Sequence, residues 1–424
     1  MFRSFKSTLI LVVISCSSFF ANGAPDLESR VNKLESNQAS QIQALTDEIA
    51  KLKQELSIPE LNQTSFSGMG VAASKVYYSK SPLSIGGYGE IVYTDNKKGT
   101  DSFDAYRFVP YIGYRFTDKI IFNSEIEFEH GGAFAEDQKG EAIIEFAYID
   151  FLISEAFNLR VGQMLIPVGL INLHHEPTFF PMVQRPDVEK NIIPSTWHEN
   201  GLMTFGKMGM LSAYLGVVNG GDSNNVSGKN WIRGARQKGA EAKSEDFGTF
   251  LRLDVTPLEG LSLGVSHYTS KNSQEDESLG DSKVSLSEVH STYSAAGFDF
   301  KALFTQGSLT DTDLIQSVTG ELLGSKVQGA YAILSYDIAK WVPFLNGKSL
   351  PLFVSHETYN LHDEVETGNT ADPILEKTIS TVGINFKPHS NVVIKADYQF
   401  RSNESDDESK KEYDKFELGL GWIF

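Results

Sequence analysis

Two periodicities divide the chain. Between residues 25 and 58 apolar side chains recur at alternating spacings of three and four: Leu27, Val31, Leu34, then Ile42, Leu45, Ile49, Leu52 and Leu56. Leu34, Gln38 and Ile42 form two successive fours, a stutter that locally unwinds a supercoil. Glu, Lys, Gln, Ser and Asp fill the positions between. The pattern predicts a helix with a coiled-coil seam. One helix cannot bury such a stripe alone, so it implies self-association, or packing against another part of the same chain. Pro59 ends the segment, and residues 59–82, rich in Ser and Gly, read as a linker.

From Leu83 to Phe424 the period is two. In the last segment Phe416, Leu418, Leu420, Trp422 and Phe424 share one face, while Lys415, Glu417, Gly419 and Gly421 share the other. The second segment sets Tyr106, Phe108, Ile112, Tyr114 and Phe116 against Arg107, Tyr111, Gly113 and Arg115. Sixteen such segments are predicted, near 83–94, 104–116, 119–130, 142–153, 157–168, 200–206, 208–219, 246–256, 260–270, 285–295, 297–307, 326–339, 349–360, 376–387, 390–401 and 413–424. Connections after even-numbered segments are mostly short, as at Thr117-Asp118 and Pro388-His389. Those after odd-numbered ones are long and polar, as at Lys271 to Lys283 and Ser402 to Lys411. Short turns on one rim and long loops on the other predict an all-β fold: an antiparallel transmembrane β-barrel of about sixteen strands, residues 83–424. Lipid satisfies no backbone N–H or C=O, so strands in it must close on themselves. A soluble β-sandwich or β-helix would also alternate. It would not demand alternating loop lengths, nor aromatics at strand ends as an interfacial girdle. Tyr93, Tyr106, Phe116, Tyr268, Tyr359, Phe400 and Trp422 are candidates for that girdle.

Composition excludes more than it identifies. The chain has 424 residues, and with mean hydropathy −0.21 it is not a bundle of spanning helices. Lys and Arg number 37 against 55 Asp and Glu, a net −18, which excludes nucleic acid as a partner because phosphate binding needs a basic surface. Cys16 is the single cysteine, so neither an internal disulfide nor a cysteine zinc site can form. Arg3 and Lys6, the apolar run Ser7 to Ile14, and Ala21-Asn22-Gly23 make residues 1–24 a secretory signal peptide. Val13-Ile14-Ser15 before Cys16 also loosely fits a lipidation box.

Three features carry a resemblance. Phe424 on the apolar face of the last strand looks like the outer-membrane assembly signal of bacterial barrels. The run Leu159-Arg160-Val161-Gly162-Gln163-Met164-Leu165-Ile166-Pro167-Val168-Gly169 resembles the strand-five motif of the phosphate-selective porin O and P family. Gly216-Val217-Val218-Asn219-Gly220 resembles that family's strand-seven end. The N-terminal coiled coil is similar to that of some sugar porins. The resemblance implies a homotrimeric sixteen-stranded channel of the Gram-negative outer membrane, inserted by the barrel assembly machinery among lipid and lipopolysaccharide. It implies a periplasmic coiled coil near peptidoglycan, and no cofactor. No dense lysine or arginine ladder, as phosphate selectivity would suggest, marks the strands.

A porin's function lies in pore width and lining charge. By parity the lumen receives Arg107, Tyr111 and Arg115 from strand two, and Glu125, Glu127 and Glu129 from strand three. Arg160, Arg252, Lys301, Lys395 and Arg401 join them. A charge facing lipid at the midplane would cost about 2–4 kcal/mol, so these side chains are expected inside or at the rim. Basic and acidic residues on separate walls would set a transverse field across the water, unless each pairs with a neighbour. The connection Leu170 to Asn200 is the longest and follows strand five. In the resembled family this loop folds inward and narrows the channel. Here it holds His174, His175, Glu176, Arg185, Asp187, Glu189, Lys190, His198 and Glu199, and Pro177, Pro181, Pro186 and Pro194 stiffen it.

Imidazole and carboxylate suit zinc, and His174, His175, Glu176, His198 and Glu199 offer both. The two adjacent histidines lack the i, i+4 spacing of H-E-x-x-H, so packing and hydrogen bonding is the reading and no metal is assigned. No G-x-S-x-G elbow marks an enzyme, and His130, His267, His290 and His356 are expected at rims. The rival to a channel is a structural or adhesive barrel, with acidic loops 275–281, 363–366 and 404–408 and the coiled coil as a periplasmic tether.

Overall fold

The computed structural model describes residues 24–56, 65–132, 140–345 and 347–424. Residues 1–23, the signal segment apart from Ala24, lie outside them, Cys16 included. The chain divides into two units, residues 1–60 and 61–424.

In the first unit Ala24–Leu56 form one helix, α1. Val31, Leu34, Ile42 and Leu45 are exposed along it. No described helix is long and apolar enough to cross a membrane.

The second unit is a closed antiparallel barrel of sixteen strands, each paired with its sequence neighbours, with β1 closing on β16. The strands are β1 (Leu83–Asn96), β2 (Ser102–Thr117), β3 (Ile120–Glu129), β4 (Glu141–Leu152), β5 (Asn158–Leu165), β6 (His198–Met208), β7 (Leu211–Asn219) and β8 (Phe247–Leu258). Then come β9 (Leu261–Lys271), β10 (Lys283–Ala295), β11 (Phe298–Leu309), β12 (Gly324–Asp337), β13 (Pro351–Val365), β14 (Glu376–His389), β15 (Val392–Asn403) and β16 (Lys415–Ile423). Every predicted segment is a strand within a few residues. β5 stops at Leu165 because Pro167 has no N–H for the ladder, and β6 begins at His198, so His198 and Glu199 belong to the wall and not to the loop. Closure leaves no strand edge unpaired, as lipid requires.

The two faces follow the period of two. On β2, Phe108, Ile112, Tyr114 and Phe116 project outward and are exposed, whereas Arg107, Val109 and Tyr111 are buried inward. Among the described residues, the connection 338–350 after β12 is the one long link on the short-turn rim. The girdle expectation holds only in part: Phe116 and Phe400 are exposed outside, but Tyr268 and Tyr359 are buried inside. Their parity places them with Ser266 and Glu357, both inward and buried. At Tyr106 the ladder shifts register between Glu90 and Val92, and the ring ends in the lumen beneath the Arg107 guanidinium.

Candidate functional site in the barrel lumen

The inside of the barrel is occupied by two pieces of its own chain. The first precedes β1. Residues 65–81, which composition reads as linker, fold into the short-turn half of the lumen as a strap that ends in the one-turn helix α2 (Lys75–Tyr78). Met69, Ala72, Ala73, Ser74 and Val76 are buried. Small residues let the backbone come close to the wall. The Ala72 and Ala73 N–H groups donate to Glu176 Oε1 at 2.8 and 3.1 Å, and Asn123 Nδ2 donates to the Ala73 carbonyl at 2.9 Å. Tyr77 donates to Asp150 at 2.6 Å, and its ring stacks on Phe66 at 3.7 Å.

The second piece is the connection after β5, residues 166–197, which folds inward and contains the short helix α3 (Val188–Asn191). Its middle is held by charged side chains of the opposite wall. Lys395 Nζ donates to the Phe180 and Met182 carbonyls at 2.9 and 2.8 Å, and Asp397 accepts from the Val183 N–H at 2.7 Å. Arg401 binds Asp187 at 2.6 Å, Arg252 donates to the Gly169 carbonyl at 2.6 Å, and Glu357 accepts from the Val188 N–H at 3.1 Å. Glu189 accepts from the Ile171 N–H at 2.8 Å and from the Tyr331 hydroxyl. Burial pushes the Glu189 carboxyl up to about 7, and holds His174, stacked on Phe179 at 4.0 Å, down at about 3.

Strap and loop leave open space on either side. The cavity on the long-loop side measures about 810 Å³, and those on the short-turn side about 860 and 240 Å³. Their charge differs. The long-loop cavity is lined by eleven Lys or Arg and six Asp or Glu. Among the described residues six of the basic ones have no acidic partner within 4.0 Å: Arg185, Lys190, Lys229, Arg233, Arg236 and Lys410. Arg233 and Arg236 instead donate to the Ser195 carbonyl. The larger short-turn cavity carries two of each sign, Lys207 and Arg252 against Glu155 and Asp254.

All eleven residues expected in the lumen lie on inward positions of their strands, but they do different work. Arg107, Glu127, Glu129 and Arg401 line the long-loop cavity, Arg252 and Lys301 the short-turn ones. Tyr111, Glu125, Arg160 and Lys395 are covered by strap and loop and are buried. Arg160 is bidentate to Asp150 at 2.8 and 2.9 Å beneath the strap. Arg115 donates to the Ser79 carbonyl at the rim. Opposite charges meet more than they separate: Arg107 lies 3.4, 3.4 and 2.9 Å from Glu90, Glu127 and Glu129.

The residues that looked like one ligand cluster in the loop come apart. Glu176 binds the strap, His198 Nδ1 faces the Thr196 carbonyl at 2.7 Å, and Glu199 accepts from Asn219 at 2.6 Å and Gln237 at 2.9 Å. The histidines expected at rims divide as well. His130 is there, 2.6 Å from Asp104. His267 and His356 project outward in mid-strand, each bonded to a neighbouring serine, Ser287 and Ser380. His290 is buried inside between Asp254 at 2.8 Å and Glu288 at 2.9 Å. Sequence reasoning overlooked Glu90, Glu145, Asp254, Glu288 and Glu357. Period two would have found all but Glu145.

No family model matches the chain. A protein of Aquifex aeolicus (strain VF5), described only as uncharacterized, is 35% identical over 388 residues, 88% of this chain and 87% of that one. Among solved structures, the Salmonella typhi OmpF complex with daunomycin gives a TM-score of 0.56 at 12% identity, over 81% of this chain and 97% of that one. The loop L8 deletion mutant of OmpT, an outer membrane protein of Vibrio cholerae, gives 0.52 at 10% identity, over 81% and 99%. The outer membrane channel DcaP of Acinetobacter baumannii gives 0.50 at 13%, over 81% and 97%. These likenesses are of fold.

Proposed function

The chain belongs to one family with the uncharacterized Aquifex aeolicus protein, and we propose that it is an outer-membrane porin passing small hydrophilic solutes by passive diffusion, with a preference for anions. The observation that carries the reading is the water-facing cavity of about 810 Å³ on the long-loop side, where eleven basic side chains outnumber six acidic ones in a chain of net charge −18. A wall apolar outside and charged inside suits a bilayer and an aqueous path. A cavity lined by one sign of charge raises the local concentration of the opposite ion.

Short turns face the periplasm in bacterial barrels, and the strap enters β1 from that rim, so the N-terminal helix is assigned to the periplasm. Its exposed stripe fits a homotrimer held by a coiled coil; one OmpT structure of Vibrio cholerae is described as a trimer form. The mechanism needs no cofactor and no catalytic residue.

The test is conductance of the purified protein in planar bilayers under a KCl gradient. Discrete channel steps and a reversal potential of the sign that marks chloride as more permeant are expected. Absence of steps removes the channel and leaves the structural barrel. Steps with a potential of the cation sign refute the anion preference.

A further inference from the structure

Beneath the strap and the inward loop, a cluster of buried acceptors has more lone pairs than donors. Glu125 and Glu127 point inward from β3, and Glu145 from β4. Glu145 reaches the lumen through a bulge: Glu125 pairs with Phe146 and Ile126 with Ile144, so Glu145 has no partner in the ladder. A bulge re-aims a side chain, and here Glu145 and Phe146 are both fully buried. His175 approaches from the loop. Its Nδ1 lies 3.0 Å from the Asn172 carbonyl, which only accepts, so Nδ1 carries the proton. Its Nε2 therefore presents a lone pair to Glu125 Oε1 at 2.9 Å and to Glu145 Oε2 at 3.7 Å. Neither oxygen of Glu145 has a hydrogen-bond partner among the described residues, nor has Glu125 Oε2, while Glu127 Oε1 is 3.4 Å from the Arg107 guanidinium.

Acceptors facing acceptors in a dry site need a positive charge between them. One donor atom from each of Glu125, Glu145 and His175 lies within 4.8 Å of the others. Neighbouring ligands of a tetrahedral zinc ion, with bonds of about 2.0–2.2 Å, stand roughly 3.4 Å apart, so a small contraction closes the shell. The second layer is present too: a ligating imidazole commonly donates its other N–H to a backbone carbonyl, as His175 does to Asn172.

We propose that Glu125, Glu145 and His175 bind a divalent transition-metal ion of the zinc class, which fastens the inward loop to the β3–β4 wall. One imidazole with carboxylates suits such ions. Glu127 borders both the cluster and the long-loop cavity and marks the entry path. The site does not depend on what passes through the barrel.

The experiment uses the full chain in detergent, stripped with EDTA, loaded with zinc chloride and gel-filtered before metal analysis. The wild type should retain about one zinc per chain and unfold at a higher temperature with zinc than after EDTA. Glu145→Gln and His175→Gln should each weaken retention at least tenfold, while Glu404→Gln, on an exposed loop, keeps the ion. Retention of no zinc by the wild type overturns the proposal, and so does equal retention by both variants. Should a variant fail to fold, the wild type decides alone: an unfolding temperature that zinc does not raise overturns the site.

Discussion

At Gly70 a single methyl group would fall 2.2 Å from Glu176 Oε1, the atom that accepts the Ala72 N–H. Gly70→Ala must therefore push apart the strap and the loop residue that holds it. Overpacking of this kind costs about 1–3 kcal/mol, and urea unfolding should show it. A change of a few tenths would mean that the strap is not seated there. Glu189 makes a pH-dependent contribution of known sign. Burial raises its carboxyl to about 7 in the folded barrel against 4.5 ordinarily; the hydrogen bonds from Tyr331 and the Ile171 N–H oppose that rise, Glu288 adds to it and His290 opposes it. The folded state then holds a proton that the unfolded chain has released. Stability is full below pH 4.5 and declines as pH rises through 7, by roughly 3 kcal/mol for this group alone. Wild type should lose more stability than Glu189→Gln between pH 5 and pH 8; parallel losses would remove Glu189 from the account.

Elements explain what could be read from sequence. The sixteen strands were legible because an apolar outer face and a charged inner face impose a period of two, and alternating loop lengths set that pattern apart from a soluble sheet. The girdle is only partly legible because a place at a strand end does not fix the face a ring takes; Tyr268 alternates with Ser266 and Ser270, all buried. The strap was illegible because Gly, Ala and Ser serve equally in a solvated linker and in backbone packed against a wall. Glu145 was missed because a bulge breaks the alternation that reveals its neighbours. The inward loop was legible from its length and prolines, but not its anchors, since Lys395, Asp397 and Arg401 meet it more than 200 residues away in sequence. Deleting Thr178 to Asn191 should raise single-channel conductance, and unchanged conductance would take the loop out of the constriction. If the proposed homotrimer is held by α1, replacing Leu45, Ile49 and Leu52 with Asp should weaken self-association on native gels; an unaltered oligomer would take the helix out of the assembly.

For the whole molecule, the net charge and the charge lining the long-loop cavity have opposite signs. An acidic total says little about selectivity when eleven basic side chains face six acidic ones in one cavity of the lumen. Reversing Arg233 and Arg236 to Glu should move the reversal potential toward cations, and a potential that does not move would place selectivity elsewhere. The two ends of the lumen are also unequal, strongly basic toward the long loops and balanced toward the short turns. A conduit with such lopsided fixed charge behaves as a diode. Its current–voltage curve should bend, carrying more current under one polarity than the other, and the direction of that bend reports which way each barrel has inserted.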